Sequence, residues 1–332
     1  MSTSAIQETI TSKFLTVAYS SNKAAFSTDG INWTETTLPS NDYWHGVCHG
    51  DSKFVTIAYN SNKAAYSIDG INWIETALPS NNSWHGVCYG DNKFITIAHN
   101  SNKAAYSHDG INWIETTLPS NACWWNFCYS NGVFIVVTNG NGNKLTYSID
   151  GINWIETALP SKINWYSVCY ANGKFVTITS GKNNKAMYST DGINWVETTL
   201  LSNNDLWNIY CIDNKYIAVA HNSNKVAYSF DGITWIKTGL GNSDWWDIYY
   251  LNKKLAKVID GNGFNGINLA NGITLTTKMI LNNNDSWSIC CIDNKFVAVA
   301  RNSNKGAYSV NGINWIQTTM PSNADWRNVC YG

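Results

Sequence analysis

One phrase, Ser-x-Asp-Gly-Ile-Asn-Trp, recurs along this chain and limits what it can fold into. It begins at Ser27, Ser67, Ser107, Ser148 and Ser189. It returns at Ser229 with Thr234 in place of Asn, and at Ser309 with Asn311 in place of Asp. A decayed copy, Ala270-Asn271-Gly272-Ile273-Thr274-Leu275, fills the one gap, so eight units follow one another at 40 or 41 residues. Such a period marks an array of small units, each burying its apolar face against the next.

Each unit holds four short runs rich in Val, Ile, Thr, Tyr and Trp, as strands prefer. In the second unit these are Trp44 to His49 (A), Lys53 to Tyr59 (B), Lys63 to Ser67 (C) and Asn72 to Leu78 (D). Gly50-Asp51-Ser52 and Asn60-Ser61-Asn62 separate the first three. Asp69-Gly70 is a hairpin signal between C and D, and Pro79-Ser80-Asn81 leads onward. No segment shows helical periodicity. The pattern predicts an all-β fold, an eight-bladed β-propeller with four antiparallel strands per blade.

The two ends of the repeat array fit this closure. Lys13 opens with a run B that lacks its own run A, and Trp326 to Gly332 is a run A with nothing after it. The C-terminal strand is therefore expected to complete the first blade, leaving no open sheet edge. A parallel β-solenoid would not need such complementary ends. The predicted organisation is an N-terminal extension over 1–12 and a single propeller domain over 13–332.

Composition narrows function mainly by exclusion. With 44% hydrophobic and 14% charged residues the chain is not disordered, and a net charge of -1 argues against a nucleic-acid partner. The start, MSTSAIQETITS, has neither a basic nor an apolar stretch, and no run approaches 18 apolar residues. No membrane insertion is expected, and synthesis is expected in the cytoplasm. Seven of nine cysteines fall four residues after a Trp: Cys48, Cys88, Cys128, Cys169, Cys211, Cys291 and Cys330. They read as small buried hydrophobes, too far apart for disulfides, with Cys123 and Cys290 as strays. No C-x-x-C pair exists, so no structural metal is expected, and the pattern suits a reducing compartment.

The repeated phrase resembles the Asp-box, or BNR, repeat of sialidase-like propellers, over roughly residues 13 to 332. In that family the box is a C–D turn that stabilises the fold. The resemblance implies structural roles for Asp29, Trp33, Asp69, Trp73, Asp109, Trp113, Asp150, Trp154, Asp191, Trp195, Asp231 and Trp235. Here Asp and Gly are adjacent, whereas the common box has one residue between them. The resemblance does not carry sialidase activity across. That chemistry would imply an arginine triad, and this chain has two arginines, Arg301 and Arg327. Glu35, Glu75, Glu115, Glu156 and Glu197 share one repeat position, which points to structure rather than to a glycosidase pair. Asp205, Asp244, Asp247 and Asp285 are less regular. Gly261, Gly263 and Gly266 match a dinucleotide fingerprint, but no helix follows, so they read as a loop. The chain is expected to be no enzyme and to need no cofactor.

The strand order puts B–C and D–A connections on one face, and that face carries the variation. One variable position follows the run A tryptophan: His45, His85, Trp125, Tyr166, Asn208, Asp247, Ser288 and Arg327. The other closes run B: Tyr19, Tyr59, His99, Thr138, Thr179, His221, Asp260 and Arg301. Hairpin counting places His45 near Tyr59. The preceding Trp44, Trp84, Trp124, Trp165, Trp207, Trp246, Trp287 and Trp326 either bind ligand or pack between blades. Aromatic faces beside Asn and Ser resemble the sugar sites of propeller lectins. The expected function is multivalent carbohydrate binding, with a glycan partner. A protein-interaction or structural scaffold (an assembly factor or virion component, with a protein partner) is the alternative, and a glycan-active hydrolase or lyase the third reading.

Overall fold

The computed structural model describes residues 12–138, 144–157, 159–161, 163, 165–179, 184–200, 206–212, 214–220, 225–239, 247–251, 254–259, 263–268, 274–275, 287–292, 295–311 and 314–332. The predicted extension, apart from Ser12, lies outside them, as do His221, Asp260 and the side chains of Trp207, Trp246 and Asp247. Among the described residues every regular element is a strand. They form six four-stranded antiparallel sheets and one of seven strands.

The second repeat shows how sequence becomes sheet. Its strands are Trp44–Gly50 (A), Lys53–Ala58 (B), Ser61–Ser67 (C) and Ile74–Asn82 (D), paired in chain order. Asp51 and Ser52 make the A–B turn with φ of 44° and 57°, the left-handed pair that matches strand twist. The B–C turn is tighter than expected. Asn60 bends at φ 53°, and Ser61, assigned from sequence to the connection, already belongs to strand C.

Strand D is also longer than the sequence indicates, because Pro79-Ser80-Asn81 lies inside it. Lys63 pairs with Ala77 and Ser61 with Asn82, so several residues of D bulge against one of C. Proline is tolerated at such a bulge because no ladder donor is needed there. The bulge buries Leu78 and brings the Ser80 carbonyl to Trp84, whose Nε1 donates to it at 3.0 Å.

The seven-stranded sheet carries the closure. Its strand Ile316–Tyr331 pairs first with Ser303–Ser309 and then with Phe14–Tyr19. The C-terminal run thus supplies the inner strand for the N-terminal unit.

The core lies between sheets. Leu15, Val17, Ala24 and Leu38 of one unit pack against Trp44, Phe54 and Ala65 of the next. Val55, Ile57 and Leu78 then pack against Trp84, Phe94 and Ala105. Successive strands A lie side by side, and a Cβ on Gly46 would stand 3.2 Å from the Gly86 Cα.

Register corrects the sequence alignment in later repeats. Counted from the A–B turn, Asn208 pairs with Val219 as Gly46 pairs with Ile57, and Leu206 takes the pairing of Trp44. Ser288 and Asp247 likewise fall at the Gly46 level. The reason is spacing: Trp207 and Trp287 lie five residues before the strand end, Ile212 and Ile292, whereas Trp44 lies six before Gly50. The cysteines shift with them. Cys290, a stray by spacing, pairs with Val297 as Cys48 pairs with Val55. Cys211 and Cys291 instead take the pairing of His49.

Candidate functional site

The repeated boxes are turns that satisfy themselves. In the second, Gly70 has φ 70°, and its N–H donates to Ser67 Oγ at 2.8 Å. Asp69 Oδ1 accepts from Ser67 Oγ and from the backbone N–H of Ile71 and Asn72, while Oδ2 accepts from Asn72 Nδ2 at 2.7 Å. Burial alone would push the Asp69 carboxyl up, but these donors outweigh it and hold the pKa at about 2. The same bonds recur at Asp29, Asp109, Asp150 and Asp191, and most of them at Asp231. Trp154, Trp195 and Trp235 are buried against the sheets, and Trp33, Trp73 and Trp113 partly so.

The strand A tryptophans belong to the core. Trp44, Trp84, Trp124, Trp165 and Trp326 have no exposed surface, and Trp287 is buried too. Trp44 Nε1 donates to Ser40 O at 3.0 Å, and Trp326 to Ser322 O at 3.2 Å. A ring closed in between two sheets cannot offer its face to a ligand. These six tryptophans therefore leave the set of candidate binding residues.

The residues after them form an arc across neighbouring sheets. His45 lies 5.9 Å from Tyr59 and 4.9 Å from His85, ring centre to ring centre. His85 stands 5.9 Å from His99 and 4.5 Å from Trp125, which is 6.1 Å from Tyr166. At the other end Tyr19 approaches His45 at 6.2 Å and Tyr43 at 5.0 Å. Arg327 lies 3.6 Å over the Tyr19 ring and pairs with Asp325 at 2.8 Å. Arg301 is near enough to act on the charge of His45. Thr138 and Thr179 do not join the arc. They pair with Trp124 and Trp165, as Ala58 does with Trp44, and are buried.

The arc disfavours positive charge. His45 Nδ1 sits 2.8 Å from the His85 carbonyl, yet desolvation dominates and lowers its pKa to about 4, with Arg327 and Arg301 adding to the effect. Desolvation lowers His85 to about 3, reinforced by His45 and His99. Both imidazoles are neutral at neutral pH.

Two cavities adjoin this architecture. One, of about 290 Å³, opens between the first and last units on the face of the B–C and D–A connections. Tyr19, Ser21, Lys23, Asn302, Asn323 and Asp325 line it, and Asp325 Oδ1 is buried without a hydrogen-bond partner. The neighbouring junctions repeat its elements. Ser61 Oγ donates to Asp42 Oδ2 at 3.0 Å, and Ser83 Oγ to Asn60 Oδ1 at 2.6 Å. The other, of about 440 Å³, is walled by three successive strands A through Asn126, Ser167, Asn208, Tyr210, Cys128 and Cys169. Sequence reasoning missed this wall. Its signal is the second residue after the tryptophan, Gly46 and Gly86 early on, which becomes Asn126 and Ser167 later.

All nine cysteines are free and partly exposed, not buried as expected. Cys128 and Cys169 reach the wall of this cavity, whereas Cys123 precedes its strand A and lies against Asn100.

No known family matches the sequence, and no curated protein is similar to it. Solved structures do share its shape. Virginiamycin B lyase from Staphylococcus aureus is 14% identical with a TM-score of 0.65, covering 87% of this chain and 96% of that one. Apo AztD from Citrobacter koseri is 8% identical with a TM-score of 0.69, covering 97% and 98%. YCF48 bound to D1 peptide is 16% identical with a TM-score of 0.55, covering 72% and 83%. At such identities the likeness speaks for architecture alone: this chain has a β-propeller fold.

Proposed function

We propose that this chain is an eight-bladed, multivalent carbohydrate-binding propeller whose sites lie at blade junctions. The blade count takes the seven-stranded sheet as two blades sharing Ile316–Tyr331, beside six four-stranded ones. The observation that carries the ligand class is the 290 Å³ junction pocket. Tyr19 supplies an aromatic ring, Asn302, Asn323 and Lys23 supply donors, and Asn302, Asn323 and Ser21 supply acceptors, beside the Arg327-paired carboxylate of Asp325. A sugar ring pairs an apolar face with a rim of hydroxyls and needs this mixture. Similar polar junctions around the ring would let weak sites add up.

Among the described residues the 440 Å³ cavity is lined by no Asp or Glu, so none of them offers it a carboxylate pair for glycoside hydrolysis. A second reading rests on the arc from Arg327 to Tyr166. A continuous aromatic track across several sheets also suits an extended peptide, and the YCF48 structure holds a D1 peptide.

The test is a glycan array with the full chain beside Tyr19→Ala and Asn323→Ala variants. Selective binding that each change weakens about tenfold, roughly 1.4 kcal/mol, is expected. Absence of glycan binding, or binding indifferent to both changes, defeats the carbohydrate reading. A peptide array probed with Trp125→Ala then tests the second.

A further inference from the structure

The shifted register of the sixth repeat brings two thiols together. Cys169 pairs with Val176 at the common cysteine level, where Cys48 and Cys88 turn toward the following sheet. Cys211 sits one level nearer the A–B turn, opposite Tyr216. Side chains on a strand alternate in direction, so this single step turns Cys211 back toward the preceding sheet. Both thiols therefore enter one interface, packed against the cluster of Val176, Ile209 and Tyr216. There the two thiols are near enough to act on each other.

We propose that Cys169 and Cys211 form a two-coordinate site for a soft monovalent d¹⁰ ion of the copper(I) class. Paired thiols favour such ions over hard cations. Among the described residues no three His, Cys, Asp or Glu side chains converge as a metal cage, which removes tetrahedral zinc but not a linear dithiolate. Access comes from the 440 Å³ cavity, whose wall includes Cys169 and the neighbours of Cys211, Ile209 and Tyr210. On binding, each thiol releases one proton and each sulfur donates a lone pair to the ion. The product is an S–Cu–S unit of charge -1 with two protons released, and no electron changes hands. This site is independent of the carbohydrate reading.

The test is anaerobic titration of the full chain with copper(I) against a chromophoric copper(I) chelator. The wild type is expected to withdraw about one equivalent per chain. Cys169→Ser and Cys211→Ser are each expected to lose at least tenfold in affinity. Cys88→Ser, at an equivalent strand position in a different interface, is expected to match the wild type. Thermal melts of the metal-free variants separate lost binding from lost folding. No withdrawal by the wild type, unchanged binding by Cys169→Ser in a folded protein, or an equal loss in Cys88→Ser overturns the proposal.

Discussion

Lys13 and Gly332 exchange both backbone hydrogen bonds, at 2.7 and 3.1 Å, so the two ends of the repeat array are neighbours in one sheet. Beyond them the register runs from Phe14 with Tyr331 to Tyr19 with Asp325. Deleting residues 325–332 would strip the inner strand from the first unit, remove the buried Trp326 and expose a sheet edge. The expected outcome is a Tm lower by about 10 °C or more, from several lost kcal/mol, with concentration-dependent aggregation. Calorimetry and light scattering check it; a truncated chain that melts like the full one counts against closure.

Trp44 and Trp125 are the same residue type in opposite roles. Trp44 is enclosed between sheets, whereas Trp125 is half-buried in the arc. Trp44→Ala is expected to cost about 3–5 kcal/mol through the cavity it leaves. Trp125→Ala is expected to cost well under half of that. Urea unfolding of both variants decides, and equal losses would mean that the arc is core as well.

The strand framework was legible in the sequence because turn residues mark it at fixed offsets. Asp51-Ser52, Asn60 and Gly70 all bend where their residue types indicate. The bulge of strand D was not legible, since Pro79-Ser80-Asn81 has the composition of a connection. Nor was the placement of Trp44. An aromatic beside variable residues reads alike as ligand platform or packing, and only the facing sheet distinguishes them. Anchoring the repeats on tryptophan also hid the step that carries Cys211 past the level of Cys169. Counting back from each A–B turn would have exposed it.

The box aspartates make a stability device with a defined acid limit. Asp69→Ala leaves the N–H groups of Ile71 and Asn72 without their acceptor, and is expected to cost about 1–2 kcal/mol. Asp69→Asn keeps an acceptor, as Asn311 does naturally toward the Asn314 N–H, and is expected to cost less. The folded pKa of about 2 lies below the unfolded value of 3.8. The contribution is thus complete above about pH 4 and fades as pH falls toward 2. Chemical denaturation of both variants at pH 7 and pH 3 checks the order; an Asn variant worse than Ala would sink this account.

His45 and His85 act at milder acidity. Their folded values of about 4 and about 3 lie below the ordinary 6.5, so the unfolded chain takes up protons that the folded one refuses. Their contribution is complete above pH 6.5 and declines as pH falls through the folded values. Arg327, Arg301, Asp325 and His99 bear on these rings, and the two arginines and His99 oppose protonation while Asp325 favours it. A His45→Phe, His85→Phe double variant keeps an aromatic arc but cannot titrate. Between pH 7.5 and 4.5 its Tm is expected to fall less steeply than that of the wild type. Carboxylates titrate alike in both proteins, so the difference between the curves isolates the imidazoles. Parallel curves would show that these rings take up protons in the folded state as readily as in the unfolded one.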